Sequence, residues 1–278
     1  MTRRVVVLPN NGKLLVSTDV HGNFEDFSRL RQHFFAAREN GPVFWAILGD
    51  IVHAPCPSAK LRDPRLYDYE DGSVEIVEAI SELVVEFPDE VFFVLGNHDW
   101  AHVGGPRTRK FYPDEVAFLE SKMSLRERNQ MKSLFNEALL GIVTPCGAFL
   151  SHGVPGVVLE SVEELNGIDF AMGPHNERQK EILFSVLTSY GQPEQEARAF
   201  LDSVSSAGAR QNFVIHGHDR DEVGFFLDGE TAFCPVIFGA PRDNKRYLVL
   251  DLSAEYLNPA SLREDLEILR LYGPETRN

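Results

Sequence analysis

Residues 14–23 read LLVSTDVHGN, residues 43–50 read VFWAILGD, and residues 91–99 read VFFVLGNHD. Each is a brief apolar run, partly β-branched or aromatic, that stops abruptly at glycine and residues bearing oxygen or nitrogen donors. Runs this short, punctuated by glycine, read as buried strands rather than helices. The pattern recurs where residues 148–150 meet Ser151-His152-Gly153 and where residues 212–215 meet His216-Gly217-His218. Between the runs the period changes. Residues 23–38 space Phe24, Phe27, Leu30 and Phe34 along one helical face, and residues 73–86 do so with Ile76, Val77, Ile80, Leu83 and Val84. Strand alternating with helix predicts an α/β sheet core.

The second half is richer in helical periodicity, over 113–140, 177–190 and 193–205. A last strand pair is expected at 223–227 and 246–252, and Ser261-Leu262-Arg263-Glu264 has the form of a capping box opening a helix to about residue 271. Residues 53–72, with three prolines and several charges, read as an insertion loop. No internal repeat or low-complexity linker interrupts the chain, so one domain over 1–278 with a helical embellishment (about 113–140 and 177–205) is the expected organisation.

The 278 residues, 43% hydrophobic and 25% charged, suffice for a full core. A formal charge of −15 argues against broad binding to nucleic-acid backbones or anionic membranes, though not against a local basic pocket. Cys56, Cys146 and Cys234 are far apart, which excludes a disulfide framework and a thiolate zinc cluster. The N-terminal apolar run is broken at Pro9 and Asn10, leaving no signal-peptide core, and no stretch is long enough to span a bilayer. The expectation is a globular protein of the cytoplasm.

In open α/β sheets ligands gather beyond the carboxyl ends of the strands. The residues at those ends are Asp19, His21, Asp50, Asn97, His152 and His218. All are oxygen or nitrogen donors, a set suited to Mn²⁺, Fe or Zn²⁺. Singly, each has an ordinary structural reading. Asp19 could cap the following helix, Asp50 and Asn97 could occupy turns, and either histidine could be a hydrogen-bonded core residue. Their joint occurrence, each directly after a strand, favours a metal centre. His33 and His175 read as structural, and His216 as structural or supporting.

The series Asp19-x-His21, Gly49-Asp50, Gly96-Asn97-His98-Asp99, His152-Gly153, Gly217-His218 resembles the calcineurin-like metallophosphoesterases. Residues 19–23 (DVHGN), 151–155 (SHGVP), Gly224 and 236–241 (VIFGAP) are similar to the phosphoprotein phosphatase branch, which contains the serine/threonine phosphatases. The resemblance covers about residues 14–252. It implies an α+β sandwich of two mixed sheets flanked by helices. It also implies a first metal held by Asp19, His21 and Asp50, and a second held by Asp50, Asn97, His152 and His218, with Asp50 shared. Two divalent ions, Mn²⁺ foremost with Fe or Zn²⁺ as alternatives, would activate an attacking water between them. His98 would protonate the leaving group as general acid, with Asp99 orienting it or serving structure.

The branch pattern G-D-x-x-D-R-G is broken here, because His53 and Ala54 follow Gly49-Asp50-Ile51-Val52. The carboxylate that supports the catalytic histidine is thereby replaced with an imidazole, and a phosphate-binding arginine with alanine. Neighbouring imidazoles depress each other's proton affinity, so His98 requires a carboxylate from elsewhere. His53 is a candidate substrate-site residue or simply packs under the insertion loop. Arg220, two residues after His218, is a candidate to hold substrate phosphate, against a surface pairing with Asp219, Asp221 or Glu222. The basic loop 104–110 reads as solvated, with recognition of an anionic part of the substrate as the alternative, and Arg178 and Arg198 are further phosphate-binding candidates. The expected activity is phosphomonoester hydrolysis of a phosphoprotein or small phosphoester. The alternatives are hydrolysis of nucleotide phosphodiesters or pyrophosphates, such as diadenosine polyphosphates, and a weakly active metal-binding scaffold.

Overall fold

The structure, a computed structural model, describes residues 2–171, 176–206 and 209–273. Its strands in chain order are β1 (Val5–Val7), β2 (Lys13–Ser17), β3 (Val43–Ile47), β4 (Val91–Phe93), β5 (Gly141–Val143) and β6 (Ala148–Leu150). They continue as β7 (Phe213–Ile215), β8 (Phe225–Asp228), β9 (Ala232–Pro235), β10 (Arg246–Asp251) and β11 (Ile268–Arg270). One mixed sheet has the order β1-β5-β6-β7-β9-β8 and the other β11-β10-β2-β3-β4. Strands β2, β3 and β4 run parallel, as do β6, β7 and β9, so each sheet directs several carboxyl ends the same way.

Strand alternation decides which faces are covered. Leu14 and Val16 of β2 pack with Ala46, Leu150, Ile215 and Leu250 between the two sheets. Leu15 points the other way, into a layer with Trp45 and the helix residues Phe27, Leu30, Phe34, Ile76 and Ile80. Each such buried side chain contributes on the order of 1.5–3 kcal/mol. The helix Phe24–Arg38 starts at Asn23, whose side chain caps the amide of Asp26 at 3.1 Å. Asp19 is therefore free of the capping role. No helix among the described residues is long and apolar enough to cross a membrane.

Several expectations are corrected. The segment 113–140 is two helices, Glu115–Lys122 and Leu125–Glu137, because Ser124 and Glu127 form a capping box that starts the second. The strands near 223–227 and 246–252 exist but do not pair: β8 lies antiparallel to β9, whereas β10 lies antiparallel to β2 in the other sheet. The last helix is absent. A single 3-10 turn at Pro259–Ser261 is followed by β11, because residues 268–270 gain a ladder on the edge of β10. The insertion 53–72 holds two short helices, Pro57–Arg62 and Pro64–Tyr67.

Candidate active site

The ends of β2, β3, β4, β6 and β7 converge, bringing Asp19, His21, Asp50, Asn97, His152 and His218 from both sheets to one place. Local backbone geometry supports this convergence. Among the described residues, the non-glycine residues with positive φ are Asp19, His21, Asp50, His53, His218 and Asp265, so all but the last sit here. Side chains held in the left-handed region cost on the order of 1–3 kcal/mol each and persist where surrounding structure enforces them. Gly49 (φ +79°) permits a close approach of two backbone turns, since a Cβ there would stand 2.3 Å from the Gly96 nitrogen. Gly49→Ala is therefore expected to lower stability by about 3 kcal/mol or more, read as a fall in thermal midpoint.

Asp99 is the bracket that ties these turns together. Its Oδ2 accepts the amides of Asp50 (2.8 Å) and Gly96 (3.0 Å), and its Oδ1 accepts that of Ile51 (3.1 Å). These contacts position backbone rather than the ring of His98. Asp50 in turn accepts the amide of His98 at 2.8 Å, and Asp19 that of His218 at 2.9 Å.

The imidazoles are oriented by carbonyls. His21 Nδ1 lies 3.0 Å from the Val52 oxygen and His152 Nδ1 lies 2.7 Å from the Leu48 oxygen. A carbonyl only accepts, so each Nδ1 carries the proton and each Nε2 presents a lone pair. Those lone pairs face other acceptors. His21 Nε2 is 3.6 Å from Asp50 Oδ2 and 4.0 Å from Asp19 Oδ1. His152 Nε2 is 3.5 Å from Asp50 Oδ1 and 3.0 Å from Asn97 Oδ1. Acceptors so placed repel unless a proton or cation lies between them. Ligand bonds of about 2.0–2.2 Å to one ion put donor atoms roughly 3–3.5 Å apart, near the spacings found here. Asp50, His152 and His218 also bring donor atoms within 4.8 Å of one another, as do His21, Asp50 and His98. The donor set fits divalent ions.

Electrostatics agree. Burial, and then the charge of Asp50, raise Asp19 well above the carboxylate range, and burial raises Asp50 to about 7. Burial lowers His152 to about 4 and, with His152 nearby, lowers His218 to about 2. Clustered buried carboxylates that resist ionisation and imidazoles that resist protonation are the complement of a cation.

Beside this cluster, His98 Nδ1 lies 2.9 Å from His53 Nδ1, and His53 Nε2 lies 2.9 Å from His102 Nε2. His102 Nδ1 meets Glu120 Oε1 at 3.1 Å. Glu115 is fully buried, with one carboxylate oxygen accepting the Phe111 amide at 2.9 Å. Its other oxygen, Oε2, has no hydrogen-bond partner and lies 3.6 Å from His98 Nδ1. Glu115 is thus a buried carboxylate close to His98 but not hydrogen-bonded to it. Within the triplet His53, His98 and Glu115, the 2.9 Å between ring nitrogens is a hydrogen-bond length. It is shorter than the roughly 3.3 Å between ligands of a tetrahedral zinc.

The cations are only partly those expected. Arg220 is exposed, donates to the Tyr67 hydroxyl at 3.0 Å, and makes no ion pair with Asp219, Asp221 or Glu222 among the described residues. Most of the loop 104–110 is exposed, as a solvated loop is, and at its end the Lys110 amine sits 4.7 Å over the Phe238 ring, where its charge acts on Asp19, Asp50 and His98. Arg178 pairs with Glu164 and Glu181, and Arg198 with Glu194 and Glu230, so both belong to the surface away from the donors. His33 bonds the Leu271 carbonyl at 3.0 Å and His216 packs buried against Gly217, as structural histidines do. His175 lies outside the described residues.

Glu115, His102 and Glu120 went unread in sequence, and Lys110 was read only as part of the basic loop 104–110. Glu115 resembles any acid in a first helical turn, and no motif marks the others.

Two mixed sheets carrying Asp, His and Asn donors at their facing strand ends define a metal-dependent hydrolase. The chain belongs to the calcineurin-like phosphoesterase family, whose family model matches residues 12–220. It is accordingly a phosphoric ester hydrolase, and the family implies a dinuclear divalent metal centre and a phosphorylated substrate. Among solved structures it is similar to a serine/threonine phosphatase of Saccharomyces cerevisiae with similarity to human PP5. That likeness has a TM-score of 0.61 and 18% identity, and covers 90% of this chain and 77% of that one. It is also similar to the cold-active protein-tyrosine phosphatase of a psychrophilic Shewanella, with a TM-score of 0.54 and 13% identity, covering 91% and 78%. No curated protein sequence matches the chain.

Proposed function

We propose that the chain, as one domain over 1–278, is a phosphomonoesterase that acts on a phosphoprotein or small phosphoester. Asp19, His21 and Asp50 would hold one divalent ion, and Asp50, Asn97, His152 and His218 the other, with Mn²⁺ the first choice. Such ions supply Lewis-acid polarisation of phosphoryl oxygens and acidify a bound water. The protein supplies the rest. Asp99 locks the turns that carry the donors, Lys110 and Arg220 attract the anionic ester, and His98 delivers a proton to the leaving oxygen.

The observation that carries the reading is the pair of cations beside the donors. A monoester dianion brings one charge more than a diester, and Lys110 and Arg220 stand where that charge is felt. The two similar structures are described as protein phosphatases, in keeping with a monoester substrate. A diester or nucleotide reading is favoured by one feature, the aromatic wall of Tyr67, Phe111 and Phe238, on which a base could stack.

Turnover of p-nitrophenyl phosphate against bis-p-nitrophenyl phosphate with Mn²⁺ separates them. The monoester should react faster, and Lys110→Ala and Arg220→Ala should each raise its KM by about tenfold while changing diester KM less. Faster diester cleavage would replace the reading with the nucleotide one.

A further inference from the structure

The row His98–His53–His102–Glu120 has a direction, and its far end sets it. Glu120 is a carboxylate paired with Lys132 at 3.3 Å, so it can only accept. The Nδ1 of His102, 3.1 Å away, must then carry the hydrogen. Burial lowers His102 to about 4, which keeps the ring neutral and leaves Nε2 as an acceptor. His53 donates to it from Nε2 across 2.9 Å and is left with an accepting Nδ1. His98 donates to that atom from its own Nδ1, also across 2.9 Å. Thr108, with its hydroxyl 3.3 Å from His53 Nδ1, is a second donor compatible with the same arrangement. The opposite polarity would set a lone pair of His102 against a carboxylate oxygen, and acceptor facing acceptor in a buried site is strongly unfavourable.

We propose that Glu120, acting through His102 and His53, is a positioning residue that fixes the tautomer of His98 and reserves Nε2 for proton exchange at the leaving group. Nε2 has no partner within the described residues. An imidazolium formed there has Glu115 Oε2 at 3.6 Å from its Nδ1 as counter-charge. In each cycle the Nε2–H bond breaks as the leaving oxygen gains the proton, and water returns one. His53 thus replaces the usual carboxylate without loss of order, because the order comes from two rings further on. The inference rests on the phosphomonoesterase reading for its catalytic consequence but not for its tautomers.

Two measurements test it. In zinc-loaded protein labelled with ¹⁵N-histidine, long-range ¹H–¹⁵N spectra should show hydrogen on Nδ1 of His98, Nε2 of His53 and Nδ1 of His102. A hydrogen on Nε2 of neutral His98 or His102 would overturn the proposal, whatever the activity. In kinetics, Glu120→Ala should lower kcat about tenfold for phenyl phosphate but under about twofold for 2,4-dinitrophenyl phosphate, whose leaving group needs no proton. Glu120→Gln, which keeps an accepting oxygen, should recover most of the loss. Equal falls on both esters, or none on either, would reject positioning through the row. Wild-type protein inactive on both esters would refute the phosphomonoesterase reading and leave the spectra to decide the tautomers.

Discussion

Asp50→Asn is expected to abolish turnover, with kcat/KM falling by at least ~10³, equivalent to about 4 kcal/mol of transition-state stabilisation. Asp50 is the residue whose two oxygens face both halves of the cluster. Oδ2 lies 3.6 Å from His21 Nε2 and Oδ1 lies 3.5 Å from His152 Nε2. Asparagine keeps the shape and an oxygen to accept the His98 amide, but it removes the shared negative charge and turns one face into a donor. Bound metal measured by elemental analysis should therefore drop along with activity. Stability should move the other way. Burial already raises Asp50 to about 7, so at pH 8 the metal-free fold bears the cost of a charge it disfavours. Metal-free Asp50→Asn should melt higher than metal-free wild type, and adding Mn²⁺ should raise the wild-type midpoint while leaving the variant unmoved. A variant that keeps full metal content and activity would remove Asp50 from the centre.

The donors were legible because each is local to a strand end: an apolar run, a glycine and a donor within a few residues announce both the strand and its terminus. What surrounds them was not. Glu115 and His102 reach the site only through the folding of residues 101–123, and nothing in their neighbours marks that return, while Lys110 was visible only as one charge of the basic loop 104–110. The break at His53 made a carboxylate near His98 foreseeable as a need, but not Glu115 as the one close to it. Pairing partners were hidden for the same reason. β8 and β10 each read as strands, but a strand does not encode which edge it joins. The closing segment ending in Ile268-Leu269-Arg270 is short enough to satisfy either period, and the exposed edge of β10 decided it. Asp99 shows the reverse case, a motif residue visible in the sequence whose contacts go to the amides of Asp50, Ile51 and Gly96 and not to the ring of His98.

His98→Asn should lower kcat by about 10²–10⁴ for esters with poor leaving groups, the range general-acid assistance supplies. The effect should shrink to about tenfold for 2,4-dinitrophenyl phosphate, which departs without a proton. Metal content should be unchanged, and this separates His98 from Asp50. Although the His98 ring lies near His21 and Asp50, its Nδ1 is engaged by His53, and its backbone amide rather than its ring holds Asp50. The asparagine amide can still reach toward Nδ1 of His53, so folding should survive, but it cannot lose a proton to the leaving oxygen. Loss of metal in this variant would make His98 a ligand. A uniform loss across leaving groups would make it a binding residue, and the proton would then have to come from solvent or from Lys110.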